Sequence, residues 1–213
     1  MDSMNIFNRL SESVKEDWKF ITSISIQSWQ ERLEWLLNET SNPERVIVGF
    51  AQFLRSLDEP IEPHIQKYLH TPKYLRFFER IFSQSPFLTD TLIKYPQFAD
   101  EILSSSHLSR SLTKQEWLQF LGWNISTFNT PSDISNYLRD RGLVNGSDWD
   151  LKKIMLHLRR LHKKALLRIV TRDIVEHCDV KSIAEDLSNL ADAHLELCFH
   201  LLFTHLQQRY GTP

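Results

Sequence analysis

A run of basic residues is the strongest chemical feature of this sequence. Eight lysines and arginines and no acidic residue lie between positions 152 and 172. Four of them, Arg160, Lys164, Arg168 and Arg172, follow one another at intervals of four. On a helix such a line drifts by about 40° per step, here toward the apolar side. Each like-charged pair costs about 0.2–0.5 kcal/mol, so we expect the line to meet acidic groups.

Two sources of that negative charge remain open. Acidic residues of the same fold, such as Glu176, Glu185 or Asp186, could supply it. Alternatively, the four basic residues form a docking or phosphate-facing surface for another domain or protein. The spacing alone does not decide between these hypotheses.

Asp148 and Asp150 form an Asp-x-Asp pair of the kind that holds Mg²⁺ against a triphosphate. That chemistry needs both carboxylates on a strand, where alternate side chains project to the same side. Leu151, Ile154 and Leu158 instead continue with helical spacing. We therefore predict that Ser147 is the N-cap of a helix and that the acids lie in its first turn.

Other catalytic and cofactor-binding patterns are absent from the sequence. Asp192, Glu196 and His200 share one helix face, but a single stripe rarely closes the coordination shell of a metal. The five glycines form neither a P-loop nor a dinucleotide-binding turn, and no Gly-x-Ser-x-Gly motif occurs. We therefore predict no catalytic, cofactor-binding or metal-binding residue in this chain.

The elements that position these residues are predicted to be helices. Four cap-proline pairs and three capping-box spacings mark helix starts. The pairs are Asn42-Pro43, Thr71-Pro72, Ser85-Pro86 and Thr130-Pro131, and the boxes are Thr113 with Glu116, Ser147 with Asp150, and Ser182 with Glu185.

The predicted fold class is all-α, without any strand pair. Residues 1–146 form an irregular N-terminal helical region, and residues 147–213 belong to a long antiparallel hairpin. The two helices of the hairpin span about Asp148 to His177 and about Val180 to Arg209. The Val46-Ile47-Val48 run is read as helical because the longer pattern around it has a period of 3.6.

Composition narrows the partners and the compartment. The 213 residues are 41% hydrophobic and carry a net charge of −2, which predicts neither a nucleic-acid nor a membrane partner. Two cysteines are too few for a disulfide framework, and no stretch is apolar enough to span a membrane. We therefore expect a cytoplasmic protein.

Several segments resemble one protein family. Residues 158–173, LRRLHKKALLRIVTRD, resemble the arginine-rich helix before the catalytic domain of glutamate–ammonia-ligase (glutamine synthetase) adenylyltransferases. Further similar segments follow the family's order: Asn42-Pro43-Glu44-Arg45, Ser85-Pro86-Phe87-Leu88 with Asp90, Leu92 and Pro96, residues 187–193, and Tyr210-Gly211-Thr212-Pro213. The similarity covers about residues 42–213.

This resemblance implies a function for a longer protein. The family attaches AMP from ATP to a tyrosine of glutamine synthetase and removes it by phosphorolysis, with Mg²⁺, under control of glutamine and a PII-type signal protein. Its paired aspartates follow the Tyr-Gly-x-Pro segment, so the nucleotidyltransferase domain would lie beyond Pro213 and this chain alone would be inactive. The competing hypothesis is a stand-alone helical interaction module without catalytic activity.

Overall fold

A computed structural model describes residues 7–8, 10–24, 26, 29–58, 60–104, 108–123, 131–145 and 148–211. The chain divides into two compact units, Met1–Ser106 and His107–Pro213. Eleven helices account for most of the described residues, which confirms the all-α class. Within the described ranges, no helix is long and apolar enough to cross a membrane.

The described residues of the first unit form seven helices, and three of them start at a predicted cap-proline pair. Their bounds are α1 Glu12–Thr22, α2 Trp29–Glu39, α3 Pro43–Arg55, α4 Glu62–His70, α5 Pro72–Gln84, α6 Pro86–Lys94 and α7 Gln97–Leu103. Asn42 and Ser85 accept hydrogen bonds from the backbone N–H groups of Arg45 and Leu88, as N-caps do. The Val46-Ile47-Val48 run lies inside α3, so its helical interpretation is confirmed.

Aromatic side chains fill the core of the first unit, where α3 packs against α5. The ring centroids of Phe53 and Phe78 are 4.8 Å apart, and those of Phe50 and Phe82 are 5.1 Å apart. Gly49 allows this close approach, because a Cβ atom there would lie 2.7 Å from Cγ of Phe82. The glycine is therefore a packing residue of the helix crossing.

The described residues of the second unit form four helices and one short ladder. The helices are α8 Lys114–Phe120, α9 Pro131–Asp140, α10 Leu151–Ile174 and α11 Val180–Tyr210, and the strands are β1 Val144–Asn145 and β2 Asp148–Trp149. The α8 start has the full capping box of Thr113 and Glu116 that the spacing predicted. Thr130, the predicted cap of α9, lies outside the described residues.

The ladder corrects two predictions about the segment before α10. Val144 pairs with Trp149 and Asn145 with Asp148, so the expectation of no strand pair was wrong here. Helix α10 then begins at Leu151 with Asp150 as its N-cap, not with Ser147, which lies outside the described residues. The physical reason is that Asp148 and Trp149 are paired in the ladder, so the helix starts only after them. The Asp150 N–H donates to the Leu143 carbonyl at 3.3 Å.

The long helices α10 and α11 pack against each other in an antiparallel arrangement. Arg172 meets Ser182 near the connection, and the rings of His162 and His194 lie 5.0 Å apart farther along. Asp179 caps α11 by accepting from the Ser182 N–H, so the prediction of Ser182 as the cap was wrong. Asp179 stands directly before the first helical residue and therefore occupies the cap position.

The core of the second unit joins the short helices to the long pair. Its buried residues come from α8, α9, α10, α11 and the turns between them: Leu112, Trp117, Leu118, Leu121, Trp123, Ile134, Tyr137, Leu138, Leu143, Ile154, Ala165, Ile169, Leu190, Ala193, Leu197 and Leu201. The division after Ser106 therefore differs from the predicted boundary at residue 146. Residues 108–123 and 131–145 pack with the long helices because they share this apolar core.

Candidate functional site

The structure separates the predicted basic line into an outer and an inner half. Arg160 is exposed and Lys164 is half-buried, with its Nζ atom 4.8 Å from the centre of the Phe120 ring. Arg168 and Arg172 are 0% and 1% exposed. These two arginines do not belong to a surface, because the drift of 40° per step has carried them to the buried side of α10.

Asp186 of α11 supplies the negative charge that the inner half needs. Its Oδ2 atom accepts hydrogen bonds from Nη1 of Arg168 at 3.1 Å and from Nη1 of Arg172. Asp186 is itself 0% exposed. Of the two hypotheses for the basic line, an acid of the same fold therefore applies to Arg168 and Arg172.

The two arginines also bind the main chain that precedes α8. Nε of Arg172 donates to the carbonyl oxygen of Leu108 at 3.0 Å, and Nη2 of Arg168 donates to that of Arg110 at 2.9 Å. These carbonyl groups lie outside any helix, so they need partners from side chains or water. Each arginine thus links α10, α11 and the preceding segment.

Side chains of α11 complete the same arrangement. The Leu112 N–H donates to Oδ1 of Asp186 at 2.8 Å, and the Leu112 carbonyl accepts from Nδ2 of Asn189 at 2.9 Å. The Ser111 hydroxyl donates to Glu185 at 2.7 Å. Residues 108–112 are therefore held to the long helices by five hydrogen bonds, which involve five side chains of α10 and α11. We call these residues and side chains the arginine clamp.

The arginine clamp contains more positive than negative charge. Two guanidinium groups share the Asp186 carboxylate, while main-chain carbonyls and the Ser182 hydroxyl accept their other hydrogen bonds. Burial lowers the pKa of Arg168, and the nearby Asp186 carboxylate acts in the opposite direction. The Arg168 guanidinium also lies 5.2 Å from the centre of the Trp117 ring. The chemistry of the clamp is therefore that of fixing neighbouring segments in place.

The Asp-x-Asp pair has a local structural use. Asp150 accepts from the Lys153 N–H at 3.0 Å, and its other carboxylate oxygen lies 3.5 Å from Nζ of Lys153. The backbone hydrogen bond is the main reason that the pKa of Asp150 lies below its ordinary value. The carboxylate thus caps α10, and the side chain of Asp148 lies outside the described residues. Within the described ranges, no three His, Cys, Asp or Glu residues form a metal-binding group.

The face of α11 that carries Asp192, Glu196 and His200 has different surroundings along its length. Glu196 forms an ion pair with Lys114 at 2.7 Å, whereas Asp192 is exposed. Glu196 therefore ties α11 to the start of α8. At Glu196 this face of α11 therefore makes a structural contact.

A surface feature that the sequence analysis missed lies on the outer side of α11. Six large apolar side chains there are 41–74% exposed: Leu195, Phe199, Leu202, Phe203, Leu206 and Tyr210. We call this set the α11 apolar stripe. The signal that could have revealed it is that the second half of α11 has apolar residues on two opposite faces, of which Leu197 and Leu201 occupy the buried one.

Two motifs that carry the family resemblance meet in the first unit. The Asn-Pro-Glu-Arg and Ser-Pro-Phe-Leu segments contribute Glu44, Arg45, Pro86 and Asp90 to the wall of an open cleft of about 280 Å³. The Glu44 carboxylate accepts from the Ser11 N–H at 2.6 Å, at the start of α1. The resemblance in this unit therefore maps to neighbouring positions in space.

Comparison with known proteins identifies related sequences. A family model described as glutamate-ammonia ligase adenylyltransferase matches residues 75–213. A bifunctional glutamine synthetase adenylyltransferase/adenylyl-removing enzyme of Pseudomonas syringae pv. tomato is 25% identical over 136 residues, 64% of this chain and 12% of that protein. The enzyme of the same name from Pasteurella multocida is 24% identical over 220 positions, 97% of this chain and 22% of that protein. No solved structure matches the chain.

Proposed function

This chain belongs to the glutamate-ammonia ligase adenylyltransferase family, whose model matches residues 75–213, and on that premise we propose its place in a larger enzyme. We propose that it is the N-terminal helical part of a bifunctional nucleotidyltransferase that adenylylates and deadenylylates glutamine synthetase in nitrogen regulation. The chain spans 12% and 22% of the lengths of two such relatives. In this proposal the activity belongs to the longer protein.

The observation that carries the proposal is the extent of the family match. It covers the whole of the second unit, including the arginine clamp and both long helices, and it enters the first unit at α5. The names of these relatives contain both an adenylyltransferase and an adenylyl-removing activity. Both directions of the reaction are therefore assigned to the parent enzyme.

In the proposed enzyme this chain does not carry the chemical step. AMP transfer requires Mg²⁺ held by paired carboxylates against ATP. Asp150 is a poor ligand for that ion, because one of its oxygens accepts from the Lys153 N–H and the other faces the Lys153 ammonium group. We assign Mg²⁺ and ATP to a nucleotidyltransferase domain that follows this chain.

We further propose that Arg160 and Lys164 contact that domain or its substrates. They are the members of the basic line that the fold leaves exposed and half-buried, respectively. The arginine clamp would hold these two residues in position, since it fixes the same helix, α10, to α11 and to residues 108–112. A PII-type signal protein and glutamine synthetase remain the other proposed partners.

Transfer of labelled AMP to glutamine synthetase tests the proposed function. The product of the complete gene and the 213-residue chain are each incubated with glutamine synthetase, labelled ATP and Mg²⁺. We expect label on glutamine synthetase with the complete product and none with the 213-residue chain. A reading frame that stops directly after the Pro213 codon, or label transfer by the 213-residue chain itself, would contradict the proposal.

A pair of charge reversals in the complete product tests the docking surface. Arg160→Glu with Lys164→Glu should lower deadenylylation, while Arg209→Glu, another exposed arginine, serves as the matched control. Unchanged stability and unchanged activity in the double variant would exclude contact at these two positions. The rest of the proposal would then stand on the label-transfer result.

A stand-alone helical interaction module is the second candidate function. The observation that favours it is the α11 apolar stripe, because exposed apolar patches of this kind mark interaction sites. The reading frame separates the candidates: a glycine-rich segment followed by Ser-Asp-x-Asp within about fifty codons supports the enzyme, since that pair would hold Mg²⁺. An immediate stop codon supports the module.

A further inference from the structure

Helix α11 changes character halfway along its outer face. In the first half, that face exposes Lys181, Ser188 and Asp192, together with the small residue Ala184. From Leu195 onward the same face carries the α11 apolar stripe, over about 22 Å of helix. A helix that is apolar on both faces is normally buried on both. The second half of α11 is therefore built to pack against something on its outer side.

The stripe is symmetric about the midpoint between Leu202 and Phe203. Moving outward from that midpoint, Phe199 corresponds to Leu206, and Leu195 corresponds to Tyr210. Each of the three resulting pairs joins one leucine with one aromatic residue. A symmetric interface between identical chains needs this property, because residue i of one copy meets residue j of the other and the reverse.

We propose that the α11 apolar stripe is a self-association surface, on which a second copy of this chain packs its own α11 in the antiparallel direction. With the two helices crossing at the midpoint, Leu195 of each copy lies level with Tyr210 of the other, and Phe199 lies level with Leu206. Leu202 and Phe203 of both copies form the central layer. Large and smaller side chains alternate across the interface, as close packing requires.

The exposed area is sufficient for such a dimer. The six side chains expose on the order of 700 Å² per copy, close to the ~800 Å² that each partner buries in a standard protein–protein interface. Phe199 and Phe203 are already stacked, with ring centroids 5.7 Å apart and planes 14° apart. The aromatic part of the surface is thus ordered before a partner arrives, which lowers the entropic cost of binding.

Charges near the stripe do not oppose this contact. Glu196 is engaged by Lys114 of α8, and the Arg209 guanidinium lies 5.5 Å from the centre of the Tyr210 ring. No charged residue belongs to the stripe itself. Dimer formation would therefore bury apolar surface without stranding an ion, the arrangement that costs least.

The molecular mass of the purified 213-residue chain in solution tests the proposal. We expect sedimentation equilibrium to give a concentration-dependent rise from the chain mass of 25.2 kDa toward twice that value. A chain that remains monomeric at about 0.1 mM, well above a micromolar dissociation constant, would overturn self-association and point to a following domain as the occupant.

Charge substitutions identify the surface and its direction. Phe199→Glu should raise the dissociation constant about thirtyfold or more, because a carboxylate would face apolar side chains. Ala184→Glu is the matched control, since Ala184 is exposed on the same face of α11 ahead of the stripe. A wild-type dimer that is unaffected by Phe199→Glu would overturn the assignment to this surface.

Mixing two variants tests the antiparallel alignment and distinguishes a lost interface from a misfolded chain. Copies with Phe199→Glu and copies with Leu206→Lys should each be monomeric alone but should pair when mixed, because the new charges lie level only in the antiparallel arrangement. Recovery on mixing also shows that both variants fold. Two variants that fold, as judged by circular dichroism, but do not pair would overturn the proposed alignment. The result does not depend on the enzymatic proposal, since no catalytic activity is measured.

Discussion

One buried carboxylate, that of Asp186, pairs with two buried guanidinium groups. This two-to-one ratio of charges determines how much stability each substitution in the clamp should remove. Asp186→Asn would leave Arg168 and Arg172 buried without a carboxylate. Breaking a buried ion pair by removing one partner typically costs 3–5 kcal/mol. We therefore expect Asp186→Asn to lower the free energy of unfolding by about 3–5 kcal/mol, as measured by urea denaturation.

Two other substitutions calibrate this expectation. Asp192→Asn removes an exposed carboxylate from the same helix and should change stability by no more than about 0.5 kcal/mol. Arg168→Met should cost less than Asp186→Asn, since it leaves Arg172 and Asp186 as a one-to-one pair. If Asp186→Asn behaved like Asp192→Asn, the clamp would contribute nothing to stability.

Glu116 should make the stability of the chain depend on acidic pH. Hydrogen bonding to Arg110, followed by the Thr113 N–H, lowers the pKa of Glu116 from its ordinary value of 4.5 to about 2. Because the folded pKa is the lower one, this stabilisation is present above pH 4.5 and is lost as the pH falls toward 2. Its size should stay below about 1 kcal/mol, because water reaches the partly exposed pair.

The variant Glu116→Gln isolates that contribution. Its urea midpoint should lie below that of the wild type at pH 7, and the difference should narrow between pH 4.5 and pH 2. A difference that stays constant over the whole range would show that the Glu116 carboxylate is not selectively stabilised in the folded state.

At the scale of the elements, Gly49 controls how closely α3 approaches α5. A glycine in the middle of a helix usually costs about 1 kcal/mol relative to alanine, so Gly→Ala is normally stabilising. Here the new Cβ atom would lie 2.7 Å from Cγ of Phe82. We expect Gly49→Ala to destabilise the chain by about 1–3 kcal/mol, as overpacked cores do, in a thermal or urea unfolding experiment.

A double-mutant cycle attributes this cost to the helix crossing. Phe82→Leu alone should be destabilising, since Phe82 is 1% exposed and packs on Phe50. In combination with Gly49→Ala it should be less destabilising than the sum of the two, because the smaller side chain makes room for the methyl group. Strict additivity of the two changes would argue against a steric contact.

The elements of this fold were predictable where the sequence signal is local. Helical periodicity and the cap-proline pairs place α3, α5 and α6 correctly. Asn42 and Ser85 also cap α3 and α6 through their side chains, an interaction that acts within one turn, whereas Thr71 makes no such bond at α5. The same reasoning failed at Ser147, where Asp148 and Trp149 enter the ladder with Val144 and Asn145. A capping-box spacing shows only that a helix could start at that residue. Whether it does start there depends on contacts with other segments, here the pairing with the preceding strand.

The candidate site shows the same limit for contacts between elements. The drift of the basic line indicates that Arg168 and Arg172 approach the buried side, and both are buried. Which acid they meet depends on how α11 lies against α10, and the spacing within one helix does not specify that. The hydrogen bonds from the two arginines to the Leu108 and Arg110 carbonyls were not predicted, since irregular backbone has no periodic signature in the sequence.

At the scale of the whole molecule, the two contact networks lie in different units. The hydrogen bonds described for the arginine clamp join residues of His107–Pro213, and the crossing of Gly49 with Phe82 lies in Met1–Ser106. The core that joins residues 112–123 and 131–143 to residues 190–201 depends on contacts distant in sequence, which periodicity and caps do not report. Destabilisation should therefore spread through one unit before it reaches the other.

Hydrogen exchange followed by mass spectrometry tests that expectation on the full chain. Asp186→Asn should raise exchange in peptides of residues 108–213, most directly at the Leu112 amide, which loses its charged acceptor. Peptides from residues 10–104 should keep their wild-type exchange, whereas Gly49→Ala should produce the converse pattern. Faster exchange across both units in either variant would mean that the two units unfold as one cooperative body, because local opening would then equal global unfolding.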